Sequence, residues 1–238
     1  MIGKEIRLER IMDRNTGRAV IIPMDHGFTM GQIEGLCNMT KTVNAVSEGG
    51  ANAIVLHKGM VKGGHRKHGK DIGLIVHLSA STSMNPDPND KVLVCTVEEA
   101  VALGADAVSI NRWGIPLLIM IYPRGKGIDP TSPQAIGHCV RVAEELGADL
   151  IKTTYTGDPE TFRRITAACS VPVMIAGGEK GGDLETLTTI RDAIGAGAAG
   201  VCMGRNAFQR EDPGRFIGAI ARVVHGGVSP AEALGTER

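Results

Sequence analysis

The chain has 238 residues, 32 of them glycine, with 42% hydrophobic but only 3% aromatic residues. That balance suits one α/β domain over residues 1–238 with an Ala/Val/Ile/Leu core, and it excludes a disulfide-stapled miniprotein or a disordered chain. Lys plus Arg and Asp plus Glu number 26 each, so no long-range field recruits a polyanion or an acidic membrane, and neither nucleic acid nor membrane is expected as a partner.

Eight apolar runs follow in chain order: 19–25, 52–58, 72–78, 107–111, 117–122, 150–154, 171–176 and 200–204. Between most of them lie stretches with apolar residues three and four apart, at 97–103, 134–146, 159–169 and 184–196, which predict helices. One phrase recurs at the joins: Gly50-Ala51-Asn52-Ala53, Gly104-Ala105-Asp106-Ala107, Gly147-Ala148-Asp149-Leu150 and Gly197-Ala198-Ala199-Gly200. In each the glycine ends a helix and the small residues let it approach the strand that begins next. Eight strands alternating with helices predict an α/β fold, a TIM (βα)8 barrel in a single domain. A ninth short run, 91–96, reads as a loop strand before a helix.

One join breaks the pattern. Asn111 is followed by Arg112-Trp113-Gly114-Ile115-Pro116 and at once by the fifth run, whereas two parallel strands need a connection of roughly a dozen residues. Either strands four and five are not neighbours, or a segment is absent between them; the second is the expectation here. The five cysteines are odd in number and form no CxxC pair, and the first ten residues are charged rather than apolar. Reduced thiols and a cytoplasmic location are therefore expected, and no run reaches the roughly 18 apolar residues of a membrane span.

In a barrel of this kind the reactive groups lie where strands end, at the carboxyl face. Lys152 follows Leu150-Ile151 inside a strand, where an ammonium is normally excluded. It could simply reach out of the barrel end or pair with a carboxylate. Its chemical use would be as an amine: at the ordinary lysine pKa only about 1 molecule in 2,500 is neutral at pH 7. Desolvation and neighbouring cations could lower that pKa to roughly 7–8 and free the amine to form a Schiff base, with no metal required. Tyr122 and Asp25 end two other strands aimed at the same mouth and could shuttle protons, although Tyr122 could instead pack on Pro123, and Asp25 could close a turn or pair with Arg124. Gly177 and Gly178 after the seventh strand, with Gly204 and Arg205 after the eighth, form the loop pair at which this fold usually holds phosphate. His65 and His68 have metal-like spacing in a basic, glycine-rich segment that reads better as a charged loop. A metal gathered by His57, His77 and Asp25 is a weaker alternative, and a phosphate-binding barrel without catalysis is weaker still.

The motifs Met24-Asp25-His26-Gly27, Tyr122-Pro123-Arg124-Gly125, Ile151-Lys152-Thr153-Thr154-Tyr155-Thr156-Gly157-Asp158, Ala176-Gly177-Gly178 and Gly204-Arg205-Asn206-Ala207-Phe208-Gln209 occur in order, and similarity runs from about Arg7 to His225. Together they resemble the archaeal-type class I fructose-bisphosphate aldolases, and within that group most resemble the 2-amino-3,7-dideoxy-D-threo-hept-6-ulosonate synthases, which serve an alternative route to aromatic amino-acid precursors. The resemblance implies Schiff-base catalysis without metal or other cofactor, acting on a sugar phosphate and an aldehyde. It implies Lys152 as the covalent residue, Tyr122 as proton donor or acceptor and Asp25 as its assistant. Gly177, Gly178, Gly204 and Arg205 would hold phosphate, with Arg124, His26, His57 and Lys58 on the rim for the rest of the substrate. A homo-oligomer is implied as well. Two departures stand out: the missing crossover near Asn111, where the family carries a full helix, and Glu179, where relatives usually have proline.

Overall fold

The computed structural model describes residues 2–64, 72–87, 90–109 and 115–236. Its strands are β1 (Ala19–Pro23), β2 (Ala53–Leu56), β3 (Gly73–His77), β4 (Ser79–Ala80), β5 (Val92–Leu93), β6 (Ala107–Ser109), β7 (Leu118–Met120), β8 (Leu150–Thr153), β9 (Val173–Ala176) and β10 (Gly200–Cys202). The helices are α1 (Ile2–Leu8), α2 (His26–Met30), α3 (Met39–Glu48), α4 (Lys58–Gly64), α5 (Val97–Ala102), α6 (Pro133–Glu145), α7 (Pro159–Ala167), α8 (Asp183–Gly195), α9 (Arg205–Phe208), α10 (Pro213–Gly226) and α11 (Pro230–Leu234).

Eight of these strands form one parallel sheet in the order β6-β3-β2-β1-β10-β9-β8-β7. A parallel bridge between Val108 and Leu117 brings its two ends together, supported by a Val108 N–H donated to the Pro116 carbonyl at 3.1 Å. The expected (βα)8 barrel is therefore the fold. Strands four and five of the barrel, β6 and β7, are neighbours after all, and the stretch from Ser109 to Leu118 is too short for the crossover helix a parallel pair requires. Residues 110–114, which include Asn111, lie outside the described residues, as do His65 and His68. The ninth apolar run forms β5, which pairs antiparallel with β4 and leads into α5 through a capping box between Thr96 and Glu99.

The recurring Gly-Ala phrase does more than end helices. Gly50, Gly104, Gly147 and Gly197 all have φ between +82° and +93°, the left-handed turn that lets the chain reverse into the next strand. In three of the four phrases the polar residue two positions on then ties neighbouring strands together at the amino end of the barrel. Asn52 Oδ1 accepts the Val20 N–H at 2.7 Å, Asp106 Oδ2 the Leu74 N–H at 3.0 Å and Asp149 Oδ2 the Leu117 N–H at 2.9 Å. The two aspartates are also ion-paired to the amino-terminal segment, Asp106 with Arg10 at 2.7 Å and Asp149 with Lys4 at 2.5 Å, which seats fully buried Ile11 against the floor of the barrel. Asp106→Ala removes an acceptor from a buried N–H and the anion from Arg10. It is expected to cost about 1–3 kcal/mol, read as a lower urea midpoint with unchanged slope; an unmoved midpoint would show that the tie contributes nothing.

Strand alternation sorts the core into two parts. Ile21, Val55, Ile75, Ala107, Leu118, Leu150, Met174 and Cys202 fill the inside, while Val20, Ile54, Val76, Val108, Ile151, Ile175 and Val201 face the helices. The same two-residue period decides which strand-end residues look into the mouth.

Candidate active site

Continuing the inward series by two residues from Leu150, Leu118, Ile75, Ala107 and Val55 reaches Lys152, Met120 and then Tyr122, His77, Ser109 and His57; counting from Ile21 along β1 reaches Asp25. Lys152, Tyr122 and Asp25 accordingly share one cavity of about 460 Å³, with His77, Ser109 and Arg124 also on its wall. Lys152 is 7% exposed, so it does not reach out to solvent. The alternative of a lysine stretched past the barrel end is thereby removed; the Asp25 carboxylate lies on the wall of the same cavity.

The charge state of Lys152 differs from expectation. Burial works against its ammonium, but the Cys202 thiol, the Tyr122 phenol and the Asp25 carboxylate around it together outweigh that effect and raise its pKa above the ordinary lysine value. The neighbouring cations that would lower it are not the groups that dominate here. Instead the nearest ionised partner at neutral pH is a carboxylate: burial pushes the Tyr122 phenol up and the Cys202 thiol up to about 11, leaving both neutral. Asp25 in turn stays below the usual carboxylate range, because His77, His26 and Lys152 overcome the penalty of its burial. The resting site holds an ammonium and a carboxylate in one cavity, with neutral hydrogen-bonding groups beside them.

Three imidazoles surround that carboxylate. His26 Nδ1 lies 3.7 Å from Asp25 Oδ1 and His77 Nε2 lies 3.8 Å from Asp25 Oδ2. His57 stacks at a tilt on His77, ring centroids 5.2 Å apart. Burial lowers the pKa of all three, His77 to about 4, so the rings are neutral at physiological pH. Among the described residues no group of three or more His, Cys, Asp or Glu side chains is placed to hold a metal ion. Arg124 lies over the Tyr122 ring, its Cζ 5.7 Å from the centroid.

Loops seven and eight converge beside the same mouth. A Cβ on Gly177 would run into Met203, and one on Gly204 into the Pro23 carbonyl and the His26 ring, so these glycines permit a backbone approach that no other residue would. The junction is pinned by Asn206, only 3% exposed: its Nδ2 donates to the Gly177 and Glu179 carbonyls at 2.5 and 2.6 Å, and its Oδ1 accepts the Gly181 N–H at 2.9 Å. Arg205 reaches the Gly178 carbonyl at 3.5 Å. Lys58 lies outside the lining of the Lys152 cavity. It is drawn away from the Lys152 cavity into an ion pair with Glu99 at 2.9 Å, on the wall of a separate, more apolar cavity of about 750 Å³ that borders Asp25 and His57. Cys202, Ser109 and Asn206 were not singled out from the sequence as site residues. The alternation of β6 and β10 would have placed the first two inside the barrel.

The description of one family model, DeoC/LacD family aldolase, fits this geometry, and that model matches residues 19–112 and 111–210. The chain belongs to the DeoC/LacD aldolase family. Among curated proteins, the 2-amino-3,7-dideoxy-D-threo-hept-6-ulosonate synthase of Halobacterium salinarum is 45% identical over 255 residues, covering 98% of this chain and 95% of that protein. The corresponding synthase 1 of Archaeoglobus fulgidus is 42% identical, over 98% and 95%. Among solved structures, one that reports reaction intermediates of a Schiff-base-forming fructose-1,6-bisphosphate aldolase superposes with a TM-score of 0.84 at 29% identity, covering 92% of this chain and 99% of that one. The family match divides at residues 111–112, and the alignment with the halobacterial synthase is longer than this 238-residue aldolase. The relative thus carries residues without counterpart here, and the division falls where the crossover between β6 and β7 is missing.

Proposed function

We propose that this aldolase forms a Schiff base through Lys152 and transfers a three-carbon unit of a ketose phosphate to an aldehyde, as a 2-amino-3,7-dideoxy-D-threo-hept-6-ulosonate synthase, the name its 45%-identical relative carries. The observation that carries the reading is the burial of Lys152 beside Tyr122 and Asp25 in one cavity. Once a ketone enters, the ammonium passes a proton to the Asp25 carboxylate, and the freed amine adds to the carbonyl carbon. The carbonyl oxygen takes up protons and leaves as water, giving an iminium. Loss of a proton from the hydroxyl two carbons away breaks the carbon–carbon bond, and its electrons move into the iminium as an enamine. Tyr122, a neutral phenol, handles protons at the leaving and attacking oxygens. The enamine then attacks a second aldehyde.

The loops at Gly177, Gly178 and Gly204 offer backbone amides to the phosphate, with Arg205 as a charged fork. Arg205→Met should raise the half-saturating concentration of dihydroxyacetone phosphate about tenfold or more without changing that of dihydroxyacetone. Equal effects on both ligands would place the arginine away from the phosphate.

His26, His57 and Arg124 are proposed to receive the polar end of the acceptor, which for the synthase reading is aspartate semialdehyde. The second reading, a fructose-bisphosphate aldolase, is favoured by the structural likeness to the Schiff-base aldolase. Turnover of fructose 1,6-bisphosphate with and without aspartate semialdehyde separates them: a rate that requires the semialdehyde supports transfer, and an equal rate without it supports simple cleavage. Metal-independent catalysis by a cytoplasmic homo-oligomer completes the proposal, and turnover unaffected by a chelator is its expected signature.

A further inference from the structure

His77 ends β3 and Ser109 ends β6, and the two are directly paired in the strand register. Both face the barrel interior, both are buried, at 5% and 1% exposure, and the Ser109 hydroxyl is hydrogen-bonded to His77 Nδ1. The opposite ring nitrogen, Nε2, points at Asp25 Oδ2 across 3.8 Å. Two tautomers are possible for a neutral imidazole here. If the proton sat on Nδ1, Nε2 would turn a lone pair toward a buried carboxylate. With Ser109 donating to Nδ1, the proton sits on Nε2 and the ring presents an N–H dipole to the carboxylate.

We propose that His77, oriented by Ser109, is a positioning residue for Asp25: it keeps the carboxylate ionised and turned toward Lys152, and so keeps it able to take the lysine's proton. This rests on the Schiff-base reading above. The other charged or titratable groups that act on this pair are few. Asp25 is faced by His26 from its own loop and by Lys152 from β8; His77 is faced by His57, which follows β2, and by Lys91 and Lys152, both on the wall of the same cavity. Asp25 has to be ionised when the ketone arrives if it is to take the proton of Lys152, and the Nε2–H dipole of His77, 3.8 Å from Oδ2, favours that form and fixes which way the carboxylate faces.

The test uses the rate at which borohydride-trappable adduct forms on the whole protein with dihydroxyacetone phosphate. In the parent this rate should change less than about twofold between about pH 5.5 and pH 8, since the proton moves within the pair. In His77→Leu the maximal rate should fall about tenfold or more, with a half-saturating concentration within about twofold of the parent. The rate should fall further toward pH 5.5, as the unsupported carboxylate takes up a proton. His77→Gln, whose amide can still donate, should restore most of the loss and the flat profile. Ser109→Ala should reproduce a weaker version of the leucine phenotype. If Leu and Gln variants lose activity alike with parent-shaped pH profiles, or if the loss lies wholly in half-saturation, the proposal is overturned. Side-chain nitrogen NMR gives a reading independent of activity: His77 neutral with its proton on Nε2 is expected, and a proton on Nδ1 refutes the arrangement. Absence of any adduct in the parent would instead refute the Schiff-base reading, so the two failures are distinct.

Discussion

Lys152→Met and Lys152→Arg should both lose turnover by about 10⁴-fold or more, because neither side chain can form an imine at neutral pH. The two substitutions separate charge from nucleophilicity. Methionine leaves the Asp25 carboxylate buried with only neutral imidazoles about it, so a stability loss of up to about 3–5 kcal/mol is expected on top of the loss of activity. Arginine keeps a cation beside the carboxylate, is always protonated, and should recover part of that stability while remaining inactive. Denaturation midpoints and turnover, measured together, check both halves. Residual activity of a few per cent in the arginine variant would show that the amine is not the reacting group.

Tyr122→Phe has the next largest expected effect. Burial raises the phenol's pKa, so at neutral pH the group is a proton donor rather than a phenolate. Its removal changes cavity volume by a single oxygen and leaves Lys152 and Asp25 in place. Turnover should fall about 10²- to 10⁴-fold, whereas the borohydride adduct with dihydroxyacetone phosphate should still form on Lys152. Loss confined to bond making and breaking is the signature of a proton-transfer group at the substrate oxygens. An unchanged rate would show that Tyr122 takes no part in the proton transfers.

Much of this architecture was legible in the chain because the signals are local. A glycine that must turn left-handed, two small residues and an apolar run recur four times, and each marks a helix handing over to a strand. Strand ends could then be read off, and with them Asp25, Tyr122 and Lys152. What escaped depends on contacts between distant segments. Asp106 and Asp149 look like ordinary turn residues until their carboxylates are seen accepting N–H groups 32 residues away. Asn206 is one polar residue in a loop motif until three backbone groups of the preceding loop are found on it. The ion pair of Lys58 with Glu99, a residue of α5 41 positions on, has no trace in the sequence either. The protonation of Lys152 was inverted for the same reason: the sign of a pKa shift is set by whichever groups the barrel gathers around the amine. Here these are a carboxylate, a thiol and a phenol rather than cations.

The central claim is that one particular buried amine condenses with a ketone. Its most direct test is reduction with borohydride in the presence of dihydroxyacetone phosphate, followed by proteolysis and mass mapping of the modified peptide. The adduct is expected on the peptide carrying Leu150-Ile151-Lys152-Thr153, stoichiometric with protein and absent without the ketone. An unmodified Lys152, or label spread over the exposed lysines instead, would contradict the account.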